Sequence, residues 1–242
     1  MTTQSLDLLH LVHRQVQIKS PIRLVNTYRG MPVVYPAEVI AINASTLSLK
    51  AHQYQSVCLE LNRKTYLKLE QPPLISADVV SGDIIQQTFT LSNLALSSEQ
   101  IGNREITRVK PKSPLPVVLT KTSNQLKIAA EMIDISVSGI GVYGLSVSLA
   151  EIREFTTGRS VRVRLIIPKE DLGAASNQEV EVMGQVCNVI PSQDTHRFRL
   201  GIRISPEPDV QALISSYVSQ RQLEIITELR RLYRTLVQLS KD

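Results

Sequence analysis

Asn103-Arg104-Glu105-Ile106-Thr107-Arg108-Val109 and, further on, Asp134-Ile135-Ser136-Val137-Ser138-Gly139-Ile140 are the two ends of the stretch on which the reading of this chain turns. The first end sets two arginines four positions apart, just after a polar connector that contains a glycine. The second places an acid, a hydroxyl and a glycine at i, i+2 and i+5 between apolar residues, the pattern of a strand running into a turn. Between them Pro111, Pro114 and Pro116 fix φ and remove backbone donors, which limits helix and leaves room for one or two strands. Together the ends read as halves of one pocket, with charge on an arm and polar groups on a strand and its turn.

Outward from this stretch the chain is β-rich on both sides. Downstream, strands are expected at Leu115–Thr120, Gln125–Asp134, Gly139–Val147, Ser160–Ile167, Glu179–Val189 and Arg197–Ile204. A helical turn fits Leu149–Phe155, and the polar segment Pro168–Gln178 reads as an exposed loop. Upstream, alternating runs predict strands at Ile22–Val25, Val33–Tyr35, Glu38–Ile42, Thr46–Leu49, Ser56–Leu61, Thr65–Leu69, Ile75–Val80 and Thr88–Leu96. Turns are expected at Leu61–Thr65 and Ser81–Asp83. Many short strands closed by frequent turns point to small antiparallel barrels.

The ends of the chain differ from this. Leu6–Val16 has near-helical apolar spacing, and Pro21 stops it. Pro206-Glu207-Pro208-Asp209 opens a long helix to about Leu239, capped by Asp209. Ile225, Leu229, Leu232, Leu236 and Leu239 step 4-3-4-3, as in a coiled-coil seam, while Ile226, Tyr233 and Val237 add a stripe that could pack on the chain's own barrel. The seam favours self-association, and packing within the domain is the alternative. The expected fold is mainly β: two small antiparallel β-barrels, the first split-barrel-like, and a long C-terminal helix. Its parts are a lead-in over 1–20, a barrel over 21–97, a linker over 98–110, a second barrel over 111–207 and the helix over 208–242.

Composition narrows the function classes. With 43% hydrophobic and 20% charged residues the 242-residue chain can bury a real core. Only three Phe, seven Tyr and no Trp are present, so the core is aliphatic and an aromatic platform for stacked bases is lacking. The net charge of +5 suits an anionic partner, yet no polybasic block appears, which argues against a nucleic-acid or membrane tract. Cys58 and Cys187 are lone thiols in apolar segments, read as buried and reduced. His10, His13, His52 and His196 stand in no metal or nucleophile pattern, and no glycine-rich phosphate loop occurs, so neither an enzyme nor a metal site is expected. Residues 1–20 lack a leader pattern and no run is long and apolar enough to span a bilayer; a soluble, cytoplasmic protein is expected.

The chemistry of the two ends is coherent. A guanidinium fork is always charged and fits two acceptors, so an arginine can hold a phosphate or the O6/N7 edge of guanine, or stack on a purine. Aspartate accepts from the N1–H and N2–H donors of guanine's opposite edge, serine adds an adaptable hydroxyl, and glycine allows close backbone approach. Such a set suits an anionic, guanine-bearing ligand. Each half is weak alone: the same arginine spacing recurs at Arg199/Arg203 and Arg230/Arg234.

In combination, Arg104-x-x-x-Arg108 and Asp134-x-Ser136-x-x-Gly139 resemble the two-part signature of the PilZ domain family. Phe198–Ile204 leading into a C-terminal helix is similar to the way such domains close, so the resemblance covers Asn103 to about Leu239. The upstream barrel resembles, by architecture and position, the N-terminal domain of flagellar-brake-type PilZ proteins. The resemblance implies a receptor for cyclic di-GMP, with Arg104 and Arg108 wrapping the ligand, Asp134 and Ser136 bonding a guanine, Gly139 shaping the turn and Ser138 adding a neighbouring hydroxyl. Arg203 is a further candidate from the far strand. It also implies a change of interdomain arrangement that signals to a downstream protein controlling motility, biofilm or surface behaviour. Some members carry a third arginine just before the pair and bind two stacked ligands; here that position is Asn103, and one or two ligands per chain stays open. The competing readings are a PilZ-like interaction protein that binds no nucleotide and a cyclic di-GMP-dependent nucleic-acid-binding regulator.

Overall fold

A computed structural model describes residues 21–68, 74–97, 106–144, 154–171, 174–191 and 198–241. The lead-in over 1–20, most of the 98–110 linker and most of the helical turn expected at Leu149–Phe155 lie outside them. The chain divides into two compact units, Met1–Glu105 with Glu224–Asp242, and Ile106–Leu223.

The first unit contains a closed antiparallel barrel in the strand order β1-β2-β3-β6-β5-β4. Its strands are β1 (Pro21–Tyr28), β2 (Met31–Ile42), β3 (Leu47–Lys50), β4 (Lys64–Lys68), β5 (Ile75–Asp83) and β6 (Thr88–Leu96). Leu24, Val39, Leu47, Leu49, Leu67, Ile75 and Leu91 are fully buried, an aliphatic core of the kind the composition requires. The runs at Val33–Tyr35 and Glu38–Ile42 are one strand, β2.

Three upstream expectations are corrected. Ser56–Leu61 is not a strand but part of helix α1 (Gln53–Asn62). The alternation in Ser-Val-Cys-Leu-Glu-Leu is too short to separate the two periods, whereas Tyr54, Val57 and Cys58 stand at helical spacing and are all buried. His52 caps the helix through Nδ1, which accepts from Tyr54 N–H at 3.3 Å. Leu61–Thr65 is therefore the helix end rather than a hairpin turn: Arg63 sits at φ 52° and donates its N–H to Leu59 O at 3.0 Å. The expected turn at Ser81–Asp83 is strand, and the chain reverses at 84–87 instead. Asp83 Oδ1 stabilises that turn by accepting from Ile85 N and Gln86 N at 2.8 and 2.9 Å. Gly82 belongs in the strand because the Phe89 ring lies against it, only 2.5 Å from where a Cβ would stand.

The second unit contains a closed antiparallel barrel in the order β10-β11-β12-β9-β8-β7. All six strands expected downstream are present: β7 (Leu115–Lys121), β8 (Lys127–Ser136), β9 (Gly139–Gly144), β10 (Ser160–Asp171), β11 (Ala174–Pro191) and β12 (Phe198–Ile204). Pro168–Gln178 is not a loop; β10 and β11 stay paired from Ile167↔Gln178 to Asp171↔Ala174. Register carried out of the barrel continues the ladder, which needs no apolar face. Cys58 is buried as expected, but Cys187 is exposed. Val180, Val182 and Val186 are buried, so strand alternation in β11 turns Cys187 outward, at the bulge where the ladder with β12 skips between Val186 and Asn188.

Helix α2 (Pro208–Leu239) is continuous, and its residues from Glu224 onward belong to the first unit. Ile225 and Leu229 are 0% and 1% exposed, while Tyr233, Leu236 and Val237 pack against the first barrel's core. Part of the expected coiled-coil seam is thus occupied within the chain itself, and Leu239 remains exposed.

Candidate functional site

In β12, Phe198, Leu200, Ile202 and Ile204 are buried, so strand alternation turns Arg199, Gly201 and Arg203 to the outer face. Registers with β9 and β8 place Ser136, Gly139 and Arg203 in one row across three strands, and Asp134, Gly141 and Gly201 in the next. Tyr143 pairs with Arg199 in the row beyond. Ser138 lies in the two-residue turn joining β8 to β9, and its carbonyl accepts from Ile204 N at 3.0 Å.

The arm is fastened to this face by its main chain. Val109 forms a two-way bridge with Ile135, N–H to O distances 3.0 Å each way, and both side chains are fully buried. Strand alternation then sends Arg108 and Asp134, each one position earlier, to the face where they meet. Lys110 O accepts from the buried Arg221 Nε of α2 at 3.0 Å, a second anchor two residues beyond Arg108.

Asp134 is only 6% exposed, yet its carboxylate is held by cations on both sides. Arg108 Nη1 donates to Oδ1 at 3.4 Å and Arg199 Nη2 donates to Oδ2 at 3.1 Å. The carboxylate lies flat over β9: a Cβ on Gly141 would come within 2.9 Å of both its oxygens. Glycine at 141 is what lets the acid cross the strand toward Arg199. Ser136, 1% exposed, donates from Oγ to Gly139 O at 3.2 Å. A Cβ at Gly139 would meet Ile202 O at 3.2 Å and Arg108 Nη2 at 3.8 Å, so the guanidinium rests just above the glycine.

Of the residues expected in the site, Arg108, Asp134, Ser136 and Gly139 are therefore brought together, with Ser138 at the adjoining turn. Arg104 and Asn103 lie outside the described residues. Arg203 is exposed opposite Gly139, and the arginine of β12 that touches the acid is Arg199. Sequence reading passed over Arg199; its only signal is that it shares β12's outer face with Arg203. Among the described residues no group of His, Cys, Asp and Glu is placed to hold a metal ion, and no helix is long and apolar enough to cross a membrane.

The family model for the PilZ domain matches residues 103–220. Among solved structures, the chain is similar to the Bacillus subtilis inhibitor of motility MotI/DgrA at 16% identity, over 87% of this chain and 99% of that one, with a TM-score of 0.43. It is similar to Escherichia coli YcgR in complex with c-di-GMP at 14% identity, over 94% and 93% of the two chains, with a TM-score of 0.42. It is also similar to the K. pneumonia MrkH–c-di-GMP complex at 14% identity, over 95% and 97%, with a TM-score of 0.41. A search of the curated proteins finds no match.

Proposed function

We propose that this chain, whose residues 103–220 match the PilZ domain family model, is a receptor for cyclic di-GMP that binds the nucleotide on the outer face of β8, β9 and β12. The observation that carries the reading is the convergence of Arg108 on the Asp134 carboxylate, above a glycine floor at Gly139 and Gly141. A guanine bonds Asp134 through N1–H and N2–H, with the Ser136 hydroxyl beside it. Arg108 holds a phosphate or the guanine O6/N7 edge, and Arg104 joins it from the arm. Ser138 supplies a hydroxyl at the turn, and Gly139 lets the backbone approach the ligand.

Arg104 and Arg108 belong to the segment that follows the first barrel in sequence, so a ligand held by both arginines fixes the arrangement of the two units. That rearrangement presents or hides a surface for a downstream protein. Isothermal titration of the full chain with cyclic di-GMP tests the receptor reading. Saturable binding that falls at least about tenfold in Arg108→Ala is expected, since an arginine contact to phosphate or base is worth about 1–3 kcal/mol. Wild-type protein that gives no heat and no thermal shift at millimolar nucleotide overturns it.

A further inference from the structure

Asp134 is the acid that touches Arg108 and Arg199, so one negative charge is shared between two positive ones. Arg203 adds another cation four residues along β12 on the same outer face. Among the described residues, the nearest other acid in this register is Glu131 on β8, separated from Arg199 by the whole of β9, where Tyr143 stands between them. The face thus keeps a positive surplus beside an acid already satisfied on both oxygens. Arg199 reaches that acid through Nη2, while its side chain is 40% exposed. Its guanidinium is anchored at one corner and open on the other side.

We propose that Arg199 is a third arginine of the ligand site, holding Asp134 over Gly141 with one nitrogen and taking an anionic phosphodiester group of the ligand with the rest. The inference rests on the receptor reading and deepens it by assigning a residue from β12 that neither half of the sequence signature contains. Two functions meet in one side chain. The bond to Oδ2 fixes the plane in which Asp134 meets a guanine edge, and the remaining donors supply the charge that the acid removes from Arg108. Asp134 keeps a free lone pair on each oxygen for guanine while both arginines stay in place.

The test titrates cyclic di-GMP into the full chain as wild type, Arg199→Gln and Arg164→Ala, at low and at high salt. Gln keeps a donor for Asp134 but carries no charge. Arg164 is an exposed arginine of β10, paired with Glu179 and Glu181, and serves as the control for lost charge away from the site. Affinity about tenfold weaker in Arg199→Gln, with the gap narrowing as salt screens the phosphate contact, is the expected result; Arg164→Ala stays within about twofold. Arg199→Gln binding within twofold of a wild type that binds overturns the assignment and leaves the receptor reading standing. A loss that is the same at every salt also overturns it, because orientation of Asp134 alone then accounts for the effect. Failure of wild type to bind overturns both. Should Arg199→Gln not fold, Arg199→Lys carries the test: its donors sit on one nitrogen that cannot span carboxylate and phosphate, so affinity about tenfold weaker is expected and affinity within about twofold of wild type contradicts the proposal.

Discussion

Asp134 shows how much of the site rests on single atoms. Its carboxylate can lie across β9 only because position 141 has no side chain, since a Cβ there would stand 2.9 Å from both oxygens. Gly141→Ala should therefore leave the barrel folded while pushing the acid off Arg199. Cyclic di-GMP affinity, read by titration, is expected to drop by about tenfold, the scale of one displaced charge-assisted hydrogen bond. The two thiols give a second expectation. Burial pushes the Cys58 thiol up to about 12, whereas Cys187 is exposed on its bulge. A thiol reagent at neutral pH should modify one cysteine in the native protein, Cys187, and reach Cys58 only after denaturation. The residues Arg108, Asp134, Ser136 and Gly139 were legible in the sequence because their types and spacing are specific together. Arg199 was not, because its meeting with Asp134 depends on strand register across Gly141, which no local pattern encodes.

Helix α1 is the element that the sequence hid. Six apolar and polar residues alternating from Ser56 look like a strand, and the helical period appears only when Tyr54 is counted with Val57 and Cys58. Its cap is a histidine rather than one of the short polar residues that announce a helix start. His52 also stacks on Tyr35, ring centroids 3.9 Å apart, and burial lowers its pKa from the ordinary 6.5. The folded state thus binds this proton less readily than the unfolded chain does. The His52 contribution is complete above pH 6.5 and is lost as the pH falls below it, when Nδ1 can no longer accept from Tyr54 N–H. Urea melts from pH 7.5 to 5.5, a range set about the ordinary histidine value, should show declining stability in wild type and a shallower decline in His52→Asn, which keeps a cap that does not titrate. Arg221 matters at the same scale. Its bond to Lys110 O ties α2 to the segment that carries Arg108. Arg221→Met should cost about 1.5–3 kcal/mol in urea unfolding and weaken nucleotide binding in parallel.

At the scale of the molecule, two barrels and a long helix could be read from the density of short strands, the turn residues between them and the helical period after Pro208. The two closed sheets confirm that reading. What could not be read is the division of α2, whose residues from Glu224 belong with the first barrel's unit. A heptad-like seam looks the same whether it faces a second copy or the chain's own core, and here Ile225 and Leu229 are buried inside the chain. If nucleotide binding changes the arrangement of the two units, small-angle scattering of the full chain should change on saturation with cyclic di-GMP. An unchanged scattering profile at saturation counts against the rearrangement. The most direct test of the account is a crystal structure of the chain with cyclic di-GMP. The prediction is a guanine edge within about 3 Å of the Asp134 carboxylate, with Arg108 on a phosphate or on that base. A nucleotide bound elsewhere, with Asp134 still paired only to its own arginines, would contradict it.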